Sequence, residues 1–245
     1  MMKANQQMSS WFSHVFWTHQ DLYNILIQLF HDNSQYSHSA VTLIVTLCLY
    51  VSVLWIEQDF RLLFGETTAN KFLEKWPTSF KAKVIMESHR LVPTTELLDL
   101  MRSAESAAEV ENGWDSDMST ILLLLHLLPP SAQGRKRPGK MFTSQAVHQL
   151  IKLKKTGISV QQHLDNITLS SQSYLLAVGT TPSSIHHYFI VIDKHALPCK
   201  ATGSVGVFDK LFKAHYVFGM SYSSSLTNFF TFVQTTICNI DMGET

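Results

Sequence analysis

From Asn33 to Ile56 the chain carries no charged residue, and from Ser39 onward it reads SAVTLIVTLCLYVSVLWI. A run of this kind narrows the possibilities sharply, because about 20 apolar residues cross a bilayer as a helix at roughly 1.5 Å each. Two readings fit it. A membrane helix over 39–56 would let Thr42, Thr46 and Ser52 bond back to helix carbonyls and would set Tyr36, Tyr50 and Trp55 near the interfaces. Against a span, no Lys or Arg cluster flanks the run, and Glu57 and Asp59 come before Arg61, so orientation is unspecified. The many Val, Thr and Ile residues suit a buried core helix or strand pair equally well. The run lies too deep, and lacks the basic lead, to be an ordinary cleaved signal peptide.

Residues 1–56 hold only Lys3, Asp21 and Asp32 of the chain's 19 basic and 19 acidic residues, and the remainder reads as an ordinary globular protein. With 245 residues, 45% hydrophobic, 16% charged and a formal net charge of zero, the composition excludes a disordered chain and a globally basic nucleic-acid binder. Three scattered cysteines, Cys48, Cys199 and Cys238, are too few for a disulfide scaffold or a zinc module and suit a reducing compartment.

Beyond Ile56 the apolar spacing is helical. Ile56, Phe60, Leu63 and Phe64 form one stripe up to Gly65, and Ala69, Phe72, Leu73 and Trp76 form a second that Pro77 is expected to end. A third helix starts after Pro93 with Leu97, Leu100 and Met101 on one face, and the acidic stretch SAESAAEVENGWDSD after it reads as a solvated linker or a fraying helix end. Ser116 is the expected cap of ILLLLHLL, Ile121 to Leu128, which Pro129 and Pro130 stop. This helix is apolar all round and therefore buried, while being too short to span a membrane. Past the loop PPSAQGRKRPGK, a helix from Thr143 or Ser144 turns Val147, Leu150 and Ile151 inward and is expected to stop at Gly157. Ser159 and Gln162 then make a capping box for a short helix bearing Val160, His163, Leu164 and Ile167.

The period then changes. Tyr174–Gly179 and Tyr188–Asp193 read as an antiparallel hairpin around TTPSSI, and Ala196–Lys200 adds a short third strand. Two helices close the chain, one with Phe208, Leu211, Phe212 and His215 inward, the other with Leu226, Phe229, Phe230, Val233 and Ile237. The expected architecture is α+β, a helical N-terminal half followed by a small antiparallel sheet covered by helices. Its divisions are an apolar segment 1–56, a helical region 57–130, a basic linker 131–141 and an α+β domain 142–245.

The strings IEQDFRLLFGE, KFLEKWP, GWDSDMSTILLLLHLLPP, YLLAVG, YFIVIDKHALPC, FDKLFKAHYVFG and TFVQTTICNID, over about residues 56–243, resemble the C-terminal region of uncharacterised vertebrate proteins, abundant in fish. These are labelled sterile-alpha-motif-domain-containing protein 3-like. Residues 1–55 lie outside the resemblance, which implies no assigned activity, cofactor or catalytic residue.

Few residues suggest chemistry. A cysteine nucleophile would draw on Cys199 with His187, His195 or His215 and Asp193 or Asp209, since a thiolate needs a neighbouring imidazole and a third group to orient it. No oxyanion-loop signature surrounds Cys199. His186 and His187 alternate faces in a strand and cannot share one ion there, and no HExxH, CxxC or HxH string supports a metal site. Asp115 and Asp117 precede a helix, where carboxylates cap free amides. No phosphate-loop or GxGxxG string occurs. Asn166-Ile167-Thr168 fits a glycosylation sequon that matters only in a secretory lumen. The sharpest charged feature is GRKRPGK, where Arg135, Lys136, Arg137 and Lys140 form a basic contact patch reinforced by Lys152, Lys154 and Lys155. Without interleaved aromatics it does not suit single-stranded nucleic acid. The sequence therefore points to a non-enzymatic intracellular protein–protein interaction or regulatory module without a cofactor. The alternatives are a single-pass membrane protein anchored by 39–56 with a cytosolic α+β domain, and a cysteine-dependent hydrolase on Cys199.

Overall fold

The stripe of Ile56, Phe60, Leu63 and Phe64 lies on a helix through residues 55–64 (α1), which ends at Gly65, where φ is 81°. The computed structural model describes residues 55–106, 113–130, 143–167, 173–192, 194–201 and 203–240. Residues 39–54 of the apolar run and the basic residues Arg135, Lys136, Arg137 and Lys140 lie outside these. At the end of that run, Ile56 is fully buried in the core. Among the described residues no helix is long and apolar enough to cross a membrane.

Helix α2 (Glu66–Lys75) places Ala69 and Phe72 inward. Pro77 does not end the helical path as expected. The chain widens into a π-helical turn, Trp76–Phe80, and continues as α3 (Lys81–Ser88), a helix missed in the sequence. Proline has no N–H to give, and the wider turn redistributes the bonds around it. The Lys81 N–H reaches the Trp76 carbonyl, and Thr78 Oγ1 donates to the Glu74 carbonyl at 2.7 Å. Helix α4 (Thr95–Glu105) is capped by the Thr94 hydroxyl and buries Leu97, Leu100 and Met101. It continues into the acidic stretch, where Ser103 and Ala104 are packed inside rather than solvated.

Helix α5 (Ser116–Leu127) is buried continuously from Met118 to Leu125, as an all-round apolar helix must be. Its cap is Asp115 rather than Ser116. The Asp115 carboxylate accepts from the Met118 N–H at 2.7 Å, while Ser116 Oγ is spent on the Ala104 carbonyl at 2.5 Å. Asp115 Oδ1 also accepts from Ser204 Oγ at 2.6 Å, which ties the start of α5 to the start of a later helix.

Helix α6 (Thr143–Leu150) passes directly into strand β1 (Ile151–Lys155), which corrects the single helix expected up to Gly157. The alternation of Ile151 and Leu153 with Lys152 and Lys154 is the period of a strand. Gly157, with φ 93°, makes the turn that follows. Helix α7 (Val160–Asp165), capped by Ser159 on the Gln162 N–H as expected, then leads to β2 (Tyr174–Thr181), β3 (Ser184–Ile192) and β4 (His195–Cys199). The sheet order is β1-β2-β3-β4. The expected hairpin and third strand are antiparallel, while β1 pairs parallel to β2 with Ile151 opposite Leu175, so the sheet is mixed.

Helix α8 (Ser204–Val217) is buried along most of its length. Helix α9 (Thr227–Phe232) and a second π-helical turn, Val233–Ile237, follow it. Phe208 of α8 lies 5.1 Å from Phe72 and 5.5 Å from Phe229 between ring centroids, and Phe212 lies 6.3 Å from Phe60. One hydrophobic core thus runs from Ile56 through Leu125 and on from Ala146 to Ile240. The fold is α+β, with helices covering the sheet.

The two faces of the sheet differ. Leu175, Ala177, Ile190, Leu197 and Cys199 belong to the main core. Tyr174, Leu176, Val178, Val191 and Ala196 point the other way and form a second, smaller cluster with Leu164 of α7.

Candidate functional site

The outer face of the sheet carries two neighbouring lysines of β1. In the parallel register Lys152 stands opposite Leu176 and Lys154 opposite Val178, so both lysines share the face of Tyr174. Lys152 Nζ lies 3.9 Å from the centroid of the Tyr174 ring, a cation–π contact. His163, on α7, brings its Nε2 to 2.9 Å from the Tyr174 hydroxyl, with the two rings nearly perpendicular at 84°. Lys152 of β1 and His163 of α7 thus meet the Tyr174 phenol of β2, with Lys154 on the same face of the sheet.

Electrostatics agrees with that geometry. Partial burial pulls the Lys152 ammonium below its usual range, and Lys154 pulls it further. His163 is lowered by burial first, then by Lys154 and Lys152. Burial pushes the Tyr174 phenol up to about 12, so it keeps its proton at neutral pH. Among the described residues no ion pair involves Lys152, Lys154 or Lys155. The cluster sets two ammonium groups, an imidazole and a phenol on one face of the sheet. Lys152, Lys154 and Lys155 were legible in the sequence as reinforcement of the basic loop. His163 and Tyr174 were read only as a helix position and a strand position, because their meeting depends on the parallel β1–β2 register.

The structure separates the residues of the cysteine reading. Cys199 faces the main core, and burial, the largest influence, raises its thiol to about 11, away from the thiolate a nucleophile requires. His187 pairs with Val178 on the opposite face. His195 shares the face of Cys199 but stands four positions away on β4, about 13 Å along the strand. Asp193 lies outside the described residues. The other two named residues have different partners, both on α8.

Lys213, 1% exposed, sits with its Nζ 2.6 Å from Asp209 Oδ2 and 2.8 and 2.9 Å from the two Glu57 oxygens. This buried pair with its third, half-exposed carboxylate fastens α8 to α1, beneath the Phe60 ring. Burial outweighs Lys213 in raising the Asp209 carboxyl above the usual carboxylate range. His215, 2% exposed, directs Nδ1 at the Leu211 carbonyl, 2.9 Å away, so that nitrogen carries the proton. Its Nε2 therefore accepts from Ser173 Oγ at 3.1 Å. The hydroxyl–imidazole pair joins α8 to the head of β2, and burial lowers the imidazole to about 4, which makes it a weak base.

His186 and His187 are exposed on β3. Asp117 pairs with Lys81 at 2.6 Å, holding α3 against α5. Asn166 spends its amide on the Gln162 carbonyl at 2.9 Å, and Thr168 of the sequon lies outside the described residues. Among the described residues no three His, Cys, Asp or Glu side chains gather in a group able to hold a metal ion. No protein-family model, curated protein or solved structure matches the chain.

Proposed function

We propose that the protein is a non-enzymatic intracellular module that contacts other proteins, in a regulatory role, through the outer face of its sheet. The observation that carries the reading is the pair Lys152 and Lys154, half-buried on one face of the sheet, the first over the Tyr174 ring, with no ion-pair partner among the described residues. A lysine placed only for solubility would extend into water, where its charge is fully solvated. Here solvation is partly given up, and a surface that keeps uncompensated cations on a rigid strand favours an acidic counterpart. The basic residues Arg135, Lys136, Arg137 and Lys140 add charge of the same sign a few positions before α6.

The test is site-specific photo-crosslinking in cells from the full chain, with the photoreactive residue at position 155. Discrete protein adducts are expected, and they should disappear when Lys152→Glu and Lys154→Glu are combined while thermal unfolding stays within a few degrees. Adducts indifferent to that charge reversal, or adducts made of nucleic acid alone, would contradict the reading.

A further inference from the structure

Resting on that contact reading, we propose that Lys152, Lys154, His163 and the Tyr174 hydroxyl bind a phosphate monoester carried by the partner protein. The geometry supplies the Lys152 ammonium, an imidazole and a phenol in contact, with a second ammonium, Lys154, next along the same strand face, from three elements whose backbones are fixed by the sheet and by a capped helix. A carboxylate offers two oxygens and a single charge. A phosphate monoester offers three terminal oxygens and a charge of about −1.5 to −2 at neutral pH, which suits two lysines and a histidine able to take a proton. The Tyr174 ring forms the apolar floor on which Lys152 rests, and the small cluster of Leu164, Leu176, Val178 and Val191 closes the site from beneath.

The charge environment also favours a dianion. The groups about His163 are Lys152 and Lys154 of β1, Tyr174 of β2 and, on its own helix, Asp165, which is engaged by Gln161 at 2.8 Å. On the same sheet face β3 contributes His187, and β4 contributes only the uncharged Ala196 and Pro198. Burial first, and the neighbouring lysine charges after it, lower Lys152 and His163, and a bound anion would relieve the charge repulsion. Binding therefore takes up a proton at His163 and tightens as the pH falls from neutral toward the ordinary histidine range.

The experiment uses the full chain and a fluorescent alanine-rich peptide bearing one phosphoserine, with its serine and glutamate counterparts. Inorganic phosphate serves as competitor, and vesicles of phosphatidylcholine with a phosphoinositide as a separate arm. Polarisation should detect the phosphopeptide, phosphate should displace it, and Lys152→Met or Lys154→Met should each weaken it by about tenfold or more. The control Lys83→Met on α3 should leave it unchanged, and the His163 ring resonances should move with the phosphopeptide. Equal binding of the glutamate peptide would overturn the phosphate assignment while leaving the contact reading standing. Binding to vesicles but not to the phosphopeptide would make the site a lipid headgroup site and overturn both. Should no anion move the His163 resonances, both readings fail.

Discussion

Two titrating side chains on α8, Asp209 and His215, pull stability in opposite directions with pH. Folding lowers His215 from its ordinary 6.5 to about 4, so in that window the unfolded chain binds a proton that the folded chain refuses. Its contribution is present above 6.5 and is lost as the pH falls towards 4. Asp209 behaves oppositely, its pKa raised from 3.8 to about 7, so the folded chain binds the proton first and stability gains as the pH falls through that range. The two effects oppose one another between about pH 6.5 and 4. Asp209→Asn removes one side of the balance. The stability of that variant should fall with decreasing pH by up to about 1.4 kcal/mol per unit over the same range. A variant whose profile runs parallel to the wild type would show that burial does not raise Asp209 in the folded chain. The buried lysine between Asp209 and Glu57 explains why α8 tolerates such groups, since each charge there has a partner within hydrogen-bond distance.

At the scale of elements, the β2–β3 hairpin is the most tightly specified piece. A Cβ on Gly179 would lie 2.1 Å from the Ser184 carbonyl oxygen and 2.8 Å from Ile185 Cα, beside the register shift in the pairing. Those obstacles are backbone and cannot swing aside. Gly179→Ala is therefore expected to cost about 1–3 kcal/mol, read as a fall in Tm, and an unchanged Tm would count against this close approach. The hairpin was plain in the sequence because its strands are runs of β-branched and aromatic residues broken by a polar turn. The leucine-rich α5 and the stripes of α1, α2, α4 and α8 were plain for the corresponding helical reason. Strand β1 was not, because Val147, Leu150 and Ile151 fit a helical stripe and only the alternation from Ile151 to Lys155 marks the change of period. The turn at Pro77 misled for a different reason, since a proline stops an α-helix only where no wider turn can absorb its missing donor. The cluster of Lys152, Lys154, His163 and Tyr174 was half legible. Its lysines stand out as charge, but Tyr174 and His163 join them only through a parallel pairing that no local pattern announces.

For the molecule as a whole, α8 is the organising element, touching α2, α5 and β2 and carrying the charge cluster shared with α1. Helices and sheet therefore share one core and should unfold together, so that far-ultraviolet circular dichroism and tryptophan fluorescence give coincident transitions. Phe208→Ala, which removes a fully buried ring from between Phe72 and Phe229, should lower stability by about 3–5 kcal/mol and shift both signals equally. Separate transitions would mean that the helical part and the sheet are independent units. The proposed contact surface lies on the face of the sheet turned away from this core, so charge substitutions there should leave the fold intact. The most direct measurement is an NMR pH titration of His163 in the full chain, in the wild type and in the Lys152→Met, Lys154→Met double variant. If the three cations form one cluster, His163 titrates below the ordinary histidine value of 6.5 in the wild type and rises toward it in the variant. An ordinary value in the wild type, or the same value in both proteins, would contradict the clustered cation site on which the functional reading stands.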